Sequence, residues 1–135
     1  MNLRETSQLF YQLKLANQEM TSKFEKETGF SLTRYELLQF LKENGSCLQS
    51  ALQEVLKIDS AAVTRHLKVL EEKNYVLRKR NPDNHREVFV QLTGTASSAL
   101  SRCEGTHRDA QSLIQLNLSE EEAEMLLGLL KKIQQ

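Results

Sequence analysis

Proline is almost missing from this chain: Pro82 is the only one in 135 residues, and only five glycines accompany it. So few chain breakers argue against a turn-rich architecture and point to a mostly helical protein. Cysteine is scarce too. Cys47 and Cys103 alone cannot build a disulfide framework, and a reduced, cytoplasmic setting is expected. No apolar run approaches the roughly 18 residues that a membrane span needs, so no membrane partner is expected. The opening MNLRETSQLFYQLKLANQEM carries polar and acidic residues inside its apolar pattern, which excludes a signal peptide. There is no glycine-rich phosphate loop, no nucleophile elbow and no paired-histidine motif, and His66, His85 and His107 fall on three separate elements. Catalysis, a cofactor and a bound metal are therefore not expected. Repeats and low-complexity tracts are absent as well, and 39% hydrophobic with 27% charged residues fits one globular domain.

Net charge is also lacking, since 18 Lys and Arg balance 18 Asp and Glu. The average hides a gradient. Residues 65–86 hold seven basic residues against three acidic ones, the footprint of a nucleic-acid surface or of a solvated charged face.

The apolar spacing supplies the rest. Leu3, Leu9, Phe10, Leu13, Ala16, Met20 and Phe24 recur every three or four residues, which predicts a long first helix ending at Thr28–Gly29. Ser31 or Thr33 can cap a second helix with Leu37, Leu38 and Leu41 inward and Asn44–Gly45 at its close. A short helix follows over 48–56, with Leu52, Val55 and Leu56 on its apolar face. Asp59 is the natural N-cap of a fourth helix whose core positions are Val63, Leu67 and Leu70, and Asn74 suits the positive φ that would stop it. Tyr75–Arg80 and Glu87–Leu92 are the expected strands, joined by a type I turn at Asn81-Pro82-Asp83-Asn84. A fifth helix is expected from Thr93 towards Asn117, with Leu100, Leu113 and Ile114 apolar. Ser119 and Glu122 form the capping box of a last helix with acids in its first turn and lysines in its last.

Two helices joined by the four-residue turn Lys57–Ser60, then a β-hairpin, make a winged helix-turn-helix arrangement. The outer face of the second helix offers Ser60, Ala61, Thr64, Arg65 and Lys68. Small residues at its start let a backbone approach. Arg65 suits a guanine edge, and Thr64 a thymine methyl or a phosphate.

The run SAAVTRHLKVLEEKNYVLRKRNPDNHREVFVQLTGTA resembles the central block of MarR-family transcriptional regulators. The resemblance rests on Leu70-Glu71, Tyr75-Val76, Asp83 three residues before Arg86, and Leu92-Thr93; LTRYELLQFL and the long terminal helices extend it over the chain. It implies a mainly α fold with a small β-hairpin, in which residues 31–93 form the DNA-binding lobe and residues 1–30 and 94–135 supply dimerisation helices. It also implies a homodimer on a pseudo-palindromic double-stranded DNA operator, acting as a repressor and released by a small aromatic effector. Arg86 would enter the minor groove, oriented by an ion pair with Asp83, with Asn84 and His85 beside it on the wing. Lys73, Arg78 and Arg80 would meet phosphates. An effector would lie among the first, second and fifth helices, near His107, Tyr11 and Tyr35. Two family features are replaced: Asn74 stands where glycine follows the recognition helix, and Ala96 where another is usual near the fifth helix.

Cys103 and His107 share a helix face four residues apart, with Glu104 and Asp109 near, so a metal- or redox-responsive regulator of the same fold is one alternative. A winged-helix protein–protein adaptor without DNA binding is the other, and the retained Arg65, Lys68, Asp83 and Arg86 speak against it.

Overall fold

The computed structural model describes residues 1–107 and 116–134. The chain runs α1 (Leu3–Thr28), α2 (Leu32–Asn44), β1 (Cys47–Leu48), α3 (Gln49–Leu56), α4 (Ser60–Glu72), β2 (Val76–Asn81), β3 (Asn84–Leu92), α5 (Gly94–Thr106) and α6 (Glu120–Ile133). Mainly α with a small antiparallel sheet is thus the architecture, as the scarcity of breakers implied.

Local chemistry explains most boundaries. Asn2 and Glu5 form a reciprocal capping box at the start of α1, and Ser119 and Glu122 do the same for α6. Gly29, at φ 78°, closes α1 in the left-handed conformation that a side chain resists. Asp59 accepts the Ala62 N–H at 2.7 Å and so opens α4, and Asn74, at φ 61°, sits just beyond that helix's end as its type allows. Ser31 does stand at the N-cap of α2, but its side chain makes no capping bond.

One core holds the lobe together. Leu37, Leu38 and Leu41 of α2, Leu52 of α3, and Val63, Leu67 and Leu70 of α4 meet Val76, Val90, Ala96 and Leu100, all essentially inaccessible. Val55, expected inward, is exposed, because an eight-residue helix presents only a narrow face to the core. Ala96 is fully buried at the start of α5 and its N–H is capped by the Thr93 hydroxyl at 3.1 Å, so the replaced glycine leaves a regular helix start. The same hydroxyl reaches the Asn74 carbonyl at 2.8 Å, tying the exit of α4 to the entry of α5.

The sheet has three strands in the order β1-β3-β2, one more than the sequence suggested. Cys47 and Leu48 pair with Val90 and Phe89, which anchors the start of α3 to the hairpin. α1 and α6 contain no buried residue at all. α5 is helical to Thr106, and Asn117, at φ 57°, lies outside any helix; Asp109, Leu113 and Ile114, in the expected continuation between them, fall outside the described residues.

Candidate nucleic-acid interface

The candidate recognition surface is the face of α4 turned away from the core. Val63, Leu67 and Leu70 point inward at steps of four and three, so Ser60, Ala61, Thr64, Arg65 and Lys68 are left exposed together on the opposite side. Thr64 is more constrained than the others. Its hydroxyl donates to the Ser60 carbonyl at 2.9 Å and accepts from Gln49 Nε2 at 3.2 Å, so its proton stays within the helix. A lone pair and the methyl group remain for a nucleic acid. Gln49, in the first turn of α3, escaped the sequence reading because its partner lies 15 residues away. Its buried Oε1 has no partner among the described residues, and it borders a hollow of about 240 Å³ between α3, the start of α4 and Arg86.

The wing departs from a regular hairpin at its tip. The pairing runs from Val76↔Leu92 to Arg80↔Val88, then jumps to Asn81↔Asn84, leaving His85, Arg86 and Glu87 outside the ladder. Pro82 and Asp83 keep negative φ and no cis bond occurs, in accord with a type I turn. Type I turns splay two-residue hairpins, and the register shift absorbs the mismatch. Side chains then fix the tip: Asn81 Oδ1 accepts the Asp83 N–H at 3.0 Å, and Asn84 Oδ1 accepts the Arg86 N–H at 3.1 Å. Asn81 Nδ2 donates to Glu87 at 2.9 Å, and Arg80 donates to the His85 carbonyl. Asp83, Asn84, His85 and Arg86 all project into solvent.

Two expectations change here. Among the described residues no ion pair joins Asp83 to Arg86; a backbone Asx bond sets the course of the chain at Arg86 instead. An exposed pair of this kind contributes only about 0–1 kcal/mol in water, too little to hold two side chains in one geometry. Arg78 is not free for phosphates either. Its Nε donates to Glu71 at 2.8 Å and its Nη2 pairs with the same oxygen, locking β2 onto the end of α4. That contact gives the Leu70-Glu71 motif its sense, since Leu70 enters the core and Glu71 clasps the strand. Lys73 is exposed beyond the end of α4. Arg80 is exposed but engaged across the hairpin.

A second feature lies where α1 and α5 meet the lobe. A cleft of about 550 Å³ opens between the end of α1, the start of α2, the end of α4 and α5. Arg34, Lys73, Arg102 and His107 bring basic groups to it, Glu25 and Glu27 acidic ones. Phe30 and Tyr75 form an aromatic wall, their rings 6.1 Å apart. Of the three residues expected near an effector, His107 lines this cleft. Tyr35 lies behind it, edge-on to Phe30, and Tyr11 is exposed far along α1. Burial pushes the Cys47 and Cys103 thiols above their ordinary range, away from the thiolate that oxidant sensing uses. Cys103 Sγ approaches His107 Nδ1 at 3.9 Å, and no group of three or more metal-binding side chains gathers among the described residues.

Comparison with known proteins follows the same lines. The sequence profile of the MarR family matches residues 30–88. The HTH-type transcriptional regulator YdgJ of Bacillus subtilis is 38% identical over 96% of this chain and 79% of its own length. The multiple antibiotic resistance protein MarR of Salmonella typhimurium is 27% identical over 93% of this chain and 88% of its own. Among solved structures, a mutant MarR from E. coli complexed with operator DNA superposes with a TM-score of 0.82 at 25% identity, covering 98% of this chain and 99% of that one.

Proposed function

The chain belongs to the MarR family of HTH-type transcriptional regulators, and on that premise we propose that it represses transcription as a homodimer on a pseudo-palindromic operator. One observation carries the reading: the exposed row Ser60, Ala61, Thr64, Arg65, Lys68 and the exposed wing tip Asp83–Arg86 belong to one lobe with a single core. α4 then enters a major groove, and Arg86 reaches the adjoining minor groove, whose negative potential draws a guanidinium. Lys73 and Lys68 suit phosphates, which add affinity without sequence preference.

Surface area supports the dimer. The chain exposes 10087 Å², whereas a compact monomer of its 15.5 kDa would expose roughly 7,200 Å². Large apolar side chains stand bare on the two terminal helices, where Phe10 is 61% exposed, Met125 67% and Ile133 62%. Obligate homodimers bury about 2,000–5,000 Å² or more in total, of which each protomer contributes half, the same order as that excess. The 550 Å³ cleft between lobe and helices suits a small aromatic effector, whose occupancy would alter the spacing of the two recognition helices. A cytoplasmic setting goes with this reading.

Selection of genomic fragments on the purified protein, followed by footprinting, tests it. The expected result is a two-fold symmetric site with half-sites about 34 Å apart, one turn of DNA. Uniform binding to all fragments with no protected site would refute it.

A further inference from the structure

Thr64 stands in the exposed row of α4, yet its hydroxyl is held by a residue outside that helix. Gln49 is the first residue of α3 and follows Leu48, which pairs with Phe89 of the wing, so its backbone is fixed to the sheet. Its Nε2 donates to Thr64 Oγ1 at 3.2 Å, and Oγ1 donates in turn to the Ser60 carbonyl at 2.9 Å. One proton decides the direction of this chain. A reversed amide would claim the single hydroxyl proton of Thr64 for Oε1 and take it from Ser60. It would also bury an unpaired NH2 group where Gln49 now keeps only an oxygen without a partner among the described residues. Threonine in a helix divides between two χ1 rotamers, because its hydroxyl can bond a carbonyl of the preceding turn. A second hydrogen bond of ordinary net strength shifts such a balance roughly two- to tenfold. Thr64 is left with one free lone pair and its methyl group, and no proton to offer.

We propose that Gln49 is a specificity-determining positioning residue: it locks Thr64 as an acceptor beside a methyl group, and so makes that side chain select an A·T pair. The inference rests on reading α4 as the helix that enters the major groove, and it adds the base pair and the residue that dictates it. An A·T pair offers both complements in the major groove, an adenine N6 amine that donates and a thymine methyl that packs. Guanine presents N7 and O6, two acceptors that need a proton Thr64 does not have. Cytosine supplies an amine but no methyl group. A phosphate oxygen only accepts, so the backbone is no partner for Thr64 either. Without Gln49 the second rotamer gains population and its hydroxyl, free of Ser60, can donate to any of these acceptors. The preference should then broaden.

The test selects random-sequence duplexes on the full-length protein and then measures binding to the enriched site and its single-base variants. The pair read by Thr64 is the one whose preference Thr64→Ala reduces. It should be A·T, favoured over G·C about fivefold or more, the usual scale of a single mismatch. Gln49→Met and Gln49→Leu keep an apolar side chain of similar bulk but cannot donate. Both also remove the buried unpaired oxygen, so thermal unfolding should stay close to that of the wild type. Each should cut the preference at that one pair to about twofold or less and leave preferences at the other pairs unchanged. In a Thr64→Ala background the same substitutions should change nothing further at this pair; a further drop shows that Gln49 acts other than through Thr64 and overturns the inference. So does a G·C pair at that position, a Thr64→Ala variant with every preference intact, or an undiminished preference in the Gln49 variants. Each of those results leaves the major-groove reading of α4 standing. A wild type that enriches no site overturns that reading and the inference together.

Discussion

Arg78 and Arg86 lie eight positions apart in the same hairpin and carry the same charge, yet their removal should have opposite consequences. Arg78→Ala deletes two contacts to Glu71, between side chains that remain only 25% and 35% exposed. Charge-assisted hydrogen bonds contribute about 1.5–3 kcal/mol when well shielded, and partial exposure reduces that to about 1–2 kcal/mol here. At about 4 °C per kcal/mol for a domain of this size, thermal unfolding should fall by roughly 4–8 °C. Operator affinity of the folded protein should change little, and its salt slope should not change. Arg86→Ala removes a solvent-exposed side chain with no partner among the described residues, so stability should stay within about 0.5 kcal/mol. Its loss should weaken operator binding by about 1–3 kcal/mol, roughly 5- to 150-fold, with relaxed preference at the base pairs beneath the wing. Calorimetry at one fixed protomer concentration and a salt series of mobility shifts measure both quantities. If Arg78→Ala melts like the wild type but lowers the salt slope by about one, Arg78 contacts phosphate and the clasp on Glu71 is not maintained in solution.

Three further outcomes are expected. A chain lacking α6 should sediment as a monomer and lose most operator affinity, because two half-sites are no longer held together; a dimer that persists removes α6 from the interface. Hydrogen bonds from the Ser119 N–H and hydroxyl hold the Glu122 carboxyl below its ordinary pKa. Its contribution to helix stability is present above the unfolded glutamate range and is lost as pH falls through the depressed folded value. Ser119→Ala should move the Glu122 titration upward by carboxyl NMR, and an unchanged curve would show that another group sets it. Because burial raises both thiols, Cys47 and Cys103 should alkylate more slowly in the native protein than in the unfolded chain near pH 8. Equal rates would mean that the thiols are not shielded.

What could be read from the sequence was local. Asp59, Asn74 and the Ser119–Glu122 box act within a few residues of themselves, so their types alone located helix ends that the structure shares. The inward positions of α2 and α4 followed from spacing in the same way. Non-local features were hidden. β1 is two residues long and exists only because Cys47 and Leu48 meet β3 some forty residues later. Gln49 and Thr64, Arg34 and His66, Glu71 and Arg78 become partners only when helices pack, and no short-range signal marks them. The spacing of Asp83 and Arg86 carried the family resemblance, yet it could not tell a side-chain ion pair from the backbone turn that Asn84 makes. For Val55, an apolar type at helical spacing suggested burial, but α3 is too short to use it.

The hairpin's regular ladder breaks after Arg80↔Val88, ahead of the tip. Everything below that rung belongs to the folding problem: Val90 in the core, Cys47 and Leu48 alongside, Arg78 clasped to α4. Beyond it lies an overhang shaped by the Asn81↔Asn84 pair, its Asx turns and the bonds of Glu87 and His85 back to Asn81 and Arg80. Such a division makes the tip a cassette. Residues 82–87 can vary in length or identity, through drift or deliberate grafting, without shifting the strand register beneath them. On the proposed role of the wing, operator preference would then change by exchange of half a dozen residues while the scaffold that aims them is inherited intact.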